Sequence, residues 1–125
     1  VILDTNAVSA LLGGDESLGK LLANAERHHL PVPVIGEYHF GLLSSRKRRR
    51  LDSLFRRLEA DSIVLCPDRV TANVYASIRF DLKQQGTPIP ENDVWIAALA
   101  QQYSLEIVSR DPHFDYIEGI KRLDW

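Results

Sequence analysis

The chain has no methionine and a single cysteine among its 125 residues. One thiol, Cys66, cannot build an internal disulfide framework or a cysteine-based zinc site. It suits a reducing compartment, and the cytoplasm is the expected location. The missing methionine leads us to expect residues before Val1, so the first strand is expected to be longer than what is present. No run approaches the ~20 apolar residues of a membrane span. No basic stretch leads into an apolar one as a secretory leader would, so no membrane partner is expected. A charge excess is missing too: 15 Lys and Arg against 17 Asp and Glu leave a net charge of −2. No global field draws the protein to nucleic acid, so any surface for such a partner must be local. Repeats, low-complexity tracts and linkers are also absent.

What is present fits one domain over residues 1–125, within the usual ~100–200 residues. Val1–Leu3 is a short aliphatic strand running into Asp4, Thr5 and Asn6, all of which offer helix-cap chemistry. A helix over Val8–Leu12 would stop at Gly13 and Gly14. Leu18, Leu21, Leu22 and Ala25 recur at helical spacing. The segment "HHLPVPV" is extended, and "IGEYHFGLL" is helical from about Val34 to Leu43. Leu51, Leu54, Phe55 and Leu58 repeat at helical spacing within an arginine-rich run. "SIVLC" reads as a strand. Val70, Val74, Ile78 and Leu82 line a helix ended by Gly86. After a "TPIPEND" loop, Ile96, Leu99, Ala100 and Tyr103 mark another helix. "EIVSRD" is a strand ending in an aspartate, and "IKRL" a last edge strand. Strands separated by helices predict an α/β fold, a three-layer α/β/α arrangement around a mostly parallel sheet.

In such sheets, ligands bind beyond the carboxyl ends of the strands. Asp4 and Asp111 each follow a strand, so neighbouring central strands would bring the two carboxylates into one crevice. Two unit charges ~4 Å apart repel by about 4 kcal/mol at an effective dielectric near 20. That is a large share of a domain's net stability, so the pair needs a shared proton or a cation. Asp93 opens the helix "DVWIAALA", and Glu37 lies near the start of "IGEYHFGLL" with Gly41 four residues on. Oxygen-only ligands suit a hard cation, Mg²⁺ or Mn²⁺, better than zinc. Each acid taken singly has an ordinary alternative: a turn or helix cap for Asp4 and Asp111, a first-turn acid for Asp93, a solvated residue for Glu37. All four at one end of one sheet favour the metal site.

These same stretches carry a family likeness. "DTN" after the first strand, "GEYHFG" in an early helix, "NDVWIAALA" opening a late one and "SRDPHF" after the next strand resemble the motifs of PIN domains, most closely VapC-type ribonuclease toxins of toxin–antitoxin pairs. The likeness spans essentially the whole chain, and its strength lies in the four motifs occurring together and in order. It implies a metal-dependent endoribonuclease in which Asp4, Glu37, Asp93 and Asp111 are catalytic and bind Mg²⁺ or Mn²⁺; the chemistry of phosphodiester hydrolysis leads us to expect Asp4 and Asp93 to hold the principal ion, with Glu37 and Asp111 completing the site directly or through waters. The likeness further implies that Asn6 and Ser109 orient the acids, that RNA is the substrate, and that an antitoxin protein and a second copy of the chain are partners.

The run "SRKRRRLDSLFRRLEA", placed on one helical wheel, sets Leu51, Leu54, Phe55 and Leu58 opposite Arg46, Arg49, Arg56 and Arg57. A solvated face and an RNA-phosphate surface weigh equally there, and an acidic antitoxin segment is a third use. His28, His29 and His39 lack metal-site spacing; His113 could approach the site from "RDPHF", but a surface or turn position is expected for it. Two other classes compete with the nuclease. One is a non-catalytic module of the same fold that binds RNA or protein, which cleavage assays would separate. The other is an aspartyl-phosphate protein, disfavoured because Asn6 stands where a haloacid-type phosphatase needs a second aspartate, and because "VILDTN" lacks a receiver's adjacent acids.

Overall fold

Parallel strands cannot be joined by hairpins and require a crossover. In the computed structural model, which describes residues 1–125, helices make all but one of these crossovers. Strand β1 (Ile2–Leu3) is followed by α1 (Thr5–Leu12) and α2 (Glu16–Ala23). Strand β2 (His29–Pro31) is followed by α3 (Val32–Leu42) and α4 (Arg48–Ala60), and β3 (Ile63–Leu65) by α5 (Arg69–Gln85) and α6 (Glu91–Tyr103). Between β4 (Ile107–Val108) and β5 (Arg122–Leu123) lies a short 3₁₀ turn, Pro112–Tyr116. The sheet order is β3-β2-β1-β4-β5, with every neighbouring pair parallel. The α/β expectation holds, and "IKRL" is an edge strand.

The order reverses direction at β1. The chain moves from β1 out through β2 to β3, then crosses back to lay β4 on the other side of β1. A crevice opens at such a switch point, beyond the carboxyl ends of the two strands. Ile2 pairs with Ile107 and Leu3 with Val108. That register sets Asp4 and Ser109 side by side at the lip. Ile2, Leu3, Ile107 and Val108 are fully buried, as central strands covered on both faces must be, whereas Ile63 and Val64 on the edge strand are exposed.

Local chemistry sets the boundaries. Helix α1 starts at Thr5, not Val8, because the Asp4 side chain accepts a hydrogen bond from the Ala7 amide and caps it. Helix α3 starts at Val32 despite Pro33. A proline in the first turn forfeits an amide that has no intrahelical partner anyway. Helix α5 opens on a reciprocal capping box between Asp68 and Thr71 and ends at Gly86, whose φ of 73° is left-handed. Val70 sits in its first turn at 54% exposure, outside the buried stripe of Ile78 and Leu82. The "TPIPEND" loop gives way to helix already at Glu91.

Helix α6 is buried on nearly all sides from Val94 to Ala100, apart from Trp95. Its three alanines let α5 and the sheet approach closely, while each large buried side chain contributes about 1.5–3 kcal/mol. Phe55 anchors α4 in the core, its ring 4.6 Å from that of Tyr38 in α3. No helix is long and apolar enough to cross a membrane.

Candidate active site

Asp4 directly follows the fully buried strand β1 and is itself only 4% exposed. Its Oδ1 accepts from the Ala7 amide at 2.8 Å, and its Oδ2 accepts from the Ser109 hydroxyl. The cap reading and the site reading are therefore both true of it. Burial pushes its pKa above the usual carboxylate range; the Ser109 and Ala7 hydrogen bonds oppose that, and the charges of Asp111 and Glu37 add to it.

Ser109 is itself fully buried. Its Oγ donates to Asp4 and accepts the Asp111 amide at 2.9 Å, so one hydroxyl ties together the acids that follow β1 and β4. The Ser109 carbonyl accepts Arg122 Nη1 from β5 at 3.0 Å, which fixes the segment from the outside. Asp111 Oδ1 accepts the His113 amide at 3.0 Å and starts the 3₁₀ turn.

Asp93 projects from the first turn of α6 and accepts no well-formed hydrogen bond; the polar group paired with it is His113 Nδ1, at 3.5 Å. Its pKa is raised to about 6, first by burial, then by the charge of Asp111, with Glu37 adding and His113 opposing. Glu37 reaches in from α3 with both oxygens engaged: Thr5 Oγ1 donates to Oε2 at 2.8 Å, and Asn92 Nδ2 donates to Oε1 at 2.6 Å. Those two bonds fix its rotamer.

Three side chains gather most tightly. Ligating atoms of Asp93, Asp111 and His113 all lie within 4.8 Å of one another. His113 Nδ1 stands 3.0 Å from Asp111 Oδ1, yet it is buried and aligned with no acceptor. The expectation of a surface or turn role for His113 is thus half right: it sits in the turn, but against the acids. The tightest grouping is Asp93, Asp111 and His113 rather than the expected Asp4 with Asp93; each Asp4 oxygen accepts one hydrogen bond and retains a lone pair.

These residues fit a divalent cation. None of Asp4, Glu37, Asp93 and Asp111 pairs with a lysine or arginine, although eight charged pairs form elsewhere or with His113. Like charges brought together without a lysine or arginine between them, beside a ring nitrogen 3.0 Å from Asp111 Oδ1 that makes no well-aligned hydrogen bond, form a donor set suited to a metal.

Two further expectations need correction. Asn6 is exposed and makes no hydrogen bond to Asp4; the Ala7 amide and Ser109 orient that carboxylate instead. Arg46 is not on the helix of the basic run, because α4 starts at Arg48 and Arg46 lies in the turn before it. Arg49 and Arg56 border a hollow of about 540 Å³ with Phe40 and Leu43, and Arg56 pairs with Asp52 at 2.9 Å. Arg57 is exposed. A separate cleft of about 370 Å³ runs from Thr5 and Glu37 past Gly41 to Ser45 and Lys47. At Gly41 a Cβ would meet only open space, so the glycine is not required by packing.

Thr5, Asn92 and His113 are the site residues that sequence reasoning missed. Each stands inside a quoted motif ("DTN", "NDVWIAALA", "SRDPHF"), next to or within two positions of an acid that was singled out.

Comparison with known proteins agrees with this geometry. The family model described as PIN domain matches residues 1–120. The chain is 28% identical over 122 residues to ribonuclease VapC5 of Mycobacterium tuberculosis, covering 94% of this chain and 87% of that protein. It is 29% identical over 123 residues to toxin FitB of Neisseria gonorrhoeae, covering 89% and 87%. Among solved structures, DNA-bound VapBC from Salmonella typhimurium superposes with a TM-score of 0.89 at 26% identity, covering 99% of this chain and 96% of that one.

Proposed function

This chain belongs to the PIN-domain family, and on that footing we propose that it is a divalent-metal-dependent endoribonuclease that hydrolyses RNA phosphodiesters. The single observation that carries the reading is the unneutralised acidic cluster at the switch point, with Asp93 raised to about 6 beside Asp111. A site under no chemical demand gains nothing from that repulsion. The relatives named as a ribonuclease and as a toxin support the activity.

Asp93 and Asp111 hold the ion, with Asp4 and Glu37 completing the site through their remaining lone pairs or through waters. Mg²⁺ or Mn²⁺ is the ion of choice for these oxygens. When bound, it supplies Lewis acidity toward the phosphoryl oxygens and makes an attacking water more acidic. Ser109 and the Ala7 amide keep Asp4 ionised and oriented, as groups behind metal ligands commonly do. Glu37, fixed by Thr5 and Asn92, orients a water for in-line attack on phosphorus. The cleft past Gly41 to Lys47 admits the RNA backbone. Arg46, Arg49, Arg56 and Arg57 offset the repulsion between the acidic pocket and phosphate, without reading sequence.

The solved VapBC structures, one of them described as a member of a family of toxin–antitoxin systems, support a toxin role with an antitoxin partner; homodimerisation and action in the cytoplasm complete the proposal. The deciding experiment is cleavage of a mixed RNA pool with Mg²⁺, with Mn²⁺ and with EDTA, alongside Asp4→Asn and Asp93→Asn. Cleavage that persists in EDTA, or in both variants, removes the proposal.

A further inference from the structure

We propose that His113 is an inner-sphere ligand, so that the site offers two carboxylate oxygens and one imidazole nitrogen and prefers Mn²⁺ to Mg²⁺. The inference rests on the reading above that a divalent ion sits among these acids, and it names which side chain sets the ion's identity.

The geometry carries it. Two donors bound cis to one ion, each ~2.1 Å away, stand about 3.0 Å apart. His113 Nδ1 lies 3.0 Å from Asp111 Oδ1 and 3.5 Å from Asp93 Oδ2, so the three atoms already approximate one face of a coordination polyhedron. Nδ1 is buried and makes no well-aligned hydrogen bond to either carboxylate, although the ring as a whole is 40% exposed. Nor is the ring there by chance of a loose turn. The His113 amide is tied to Asp111 Oδ1 at 3.0 Å, Pro112 fixes the backbone between them, and Phe114 beyond is fully buried. The imidazole is thus held against the carboxylates by the same short 3₁₀ turn that presents Asp111.

The consequence is selectivity. Mg²⁺ favours oxygen donors and keeps its waters; Mn²⁺ shares the preference for oxygen but, as a transition metal, is the more tolerant of an imidazole nitrogen. A site with a nitrogen ligand discriminates between them more sharply than an all-oxygen site.

The test uses the whole chain and the metals alone. Pulsed electron paramagnetic resonance of Mn²⁺ bound to the unaltered protein should show coupling to a directly bonded ¹⁴N that disappears in His113→Ala. By calorimetry at mildly alkaline pH, the ratio of Mn²⁺ to Mg²⁺ affinity should fall about tenfold in His113→Ala and His113→Gln, with folding checked by circular dichroism. Manganese that binds without nitrogen coupling, with an unchanged ratio in both variants, overturns the His113 assignment and leaves the nuclease reading standing. Variants that bind both ions more tightly by the same factor also overturn it, for His113 would then be only a resident positive charge. If neither ion binds the unaltered protein, both this inference and the nuclease reading fall.

Discussion

The Ser109 hydroxyl donates to the carboxylate of Asp4, a residue 105 positions away in the chain, and both groups are buried. The strand register makes this contact, since Leu3 pairs with Val108 and the next residue of each strand carries the polar group. Removing the hydroxyl leaves Asp4 Oδ2 and the Asp111 amide each short of a partner. A buried acceptor that loses its donor costs about 1–3 kcal/mol. Ser109→Ala should therefore lower stability by about that amount in urea melts and reduce RNA cleavage by about 10–100-fold, the usual cost of losing a group behind a metal ligand. Full activity in this variant would show that Ser109 does not orient Asp4.

Asp93 predicts an inverse relation between stability and activity. Its folded pKa of about 6 lies above the ordinary aspartate value of 3.8. Between those values the metal-free folded protein binds more protons than the unfolded chain, so stability falls as pH rises through that window and stays low above it. Asp4, also raised, acts in the same direction. Asp93→Asn should abolish cleavage yet stabilise the metal-free protein at pH 7 by roughly 1 kcal/mol, after allowance for its partial exposure to solvent. Thermal melts across the acid range would measure it, and the variant's profile should be flatter.

Metal should restore what repulsion removes. An ion at about 100 times its dissociation constant stabilises the folded state by about 2.7 kcal/mol, enough to raise the melting temperature by several degrees. The gain should vanish with EDTA and be lost in Asp93→Asn. An unchanged melting temperature at saturating Mg²⁺ and Mn²⁺ would contradict the site.

Thr5 and Asn92 hold Glu37 from opposite oxygens. Thr5→Val and Asn92→Ala should each slow cleavage by roughly 10-fold or more, with little change in the far-ultraviolet spectrum. The double variant should lose less than the product of the two, because both act through one carboxylate. Independent effects would mean that Glu37 is not their common target.

The basic surface makes a prediction in salt. Replacing Arg46, Arg49 and Arg56 with glutamine should weaken RNA binding and reduce the slope of log affinity against log salt, by about 0.7 for each phosphate no longer neutralised. An unaltered slope would return these arginines to ordinary solvation.

The fold was legible because its signals were local: aliphatic runs closed by aspartate, leucines at helical spacing, and Gly86 after a helix. Asp4 and Asp111 could be placed in one crevice because each lies within three residues of a strand's carboxyl end. Groups held by tertiary structure were not legible in the same way. Thr5 meets Glu37 from 32 positions away and Asn92 meets it from 55, and no local pattern encodes either. His113 lacks any recognised ligand spacing, and only the tight turn through Pro112 brings its ring back to Asp111. Arg46 fell off its helix because α4 could not start until Arg48, with no side-chain cap to extend it. Val70 matched an apolar stripe in spacing but lies in the first turn of α5, where the helix has not yet met the core.

The switch-point topology also orders events in time. Asp4 emerges first from the ribosome, but its strand neighbour β4 and the serine that holds it come after residue 106, and Arg122, which braces that serine's carbonyl, later still. A chain translated only as far as residue 106 thus contains Asp4, Glu37 and Asp93 but neither Ser109 nor Asp111. The site is therefore complete only once the last two strands have been made and β4 has docked beside β1.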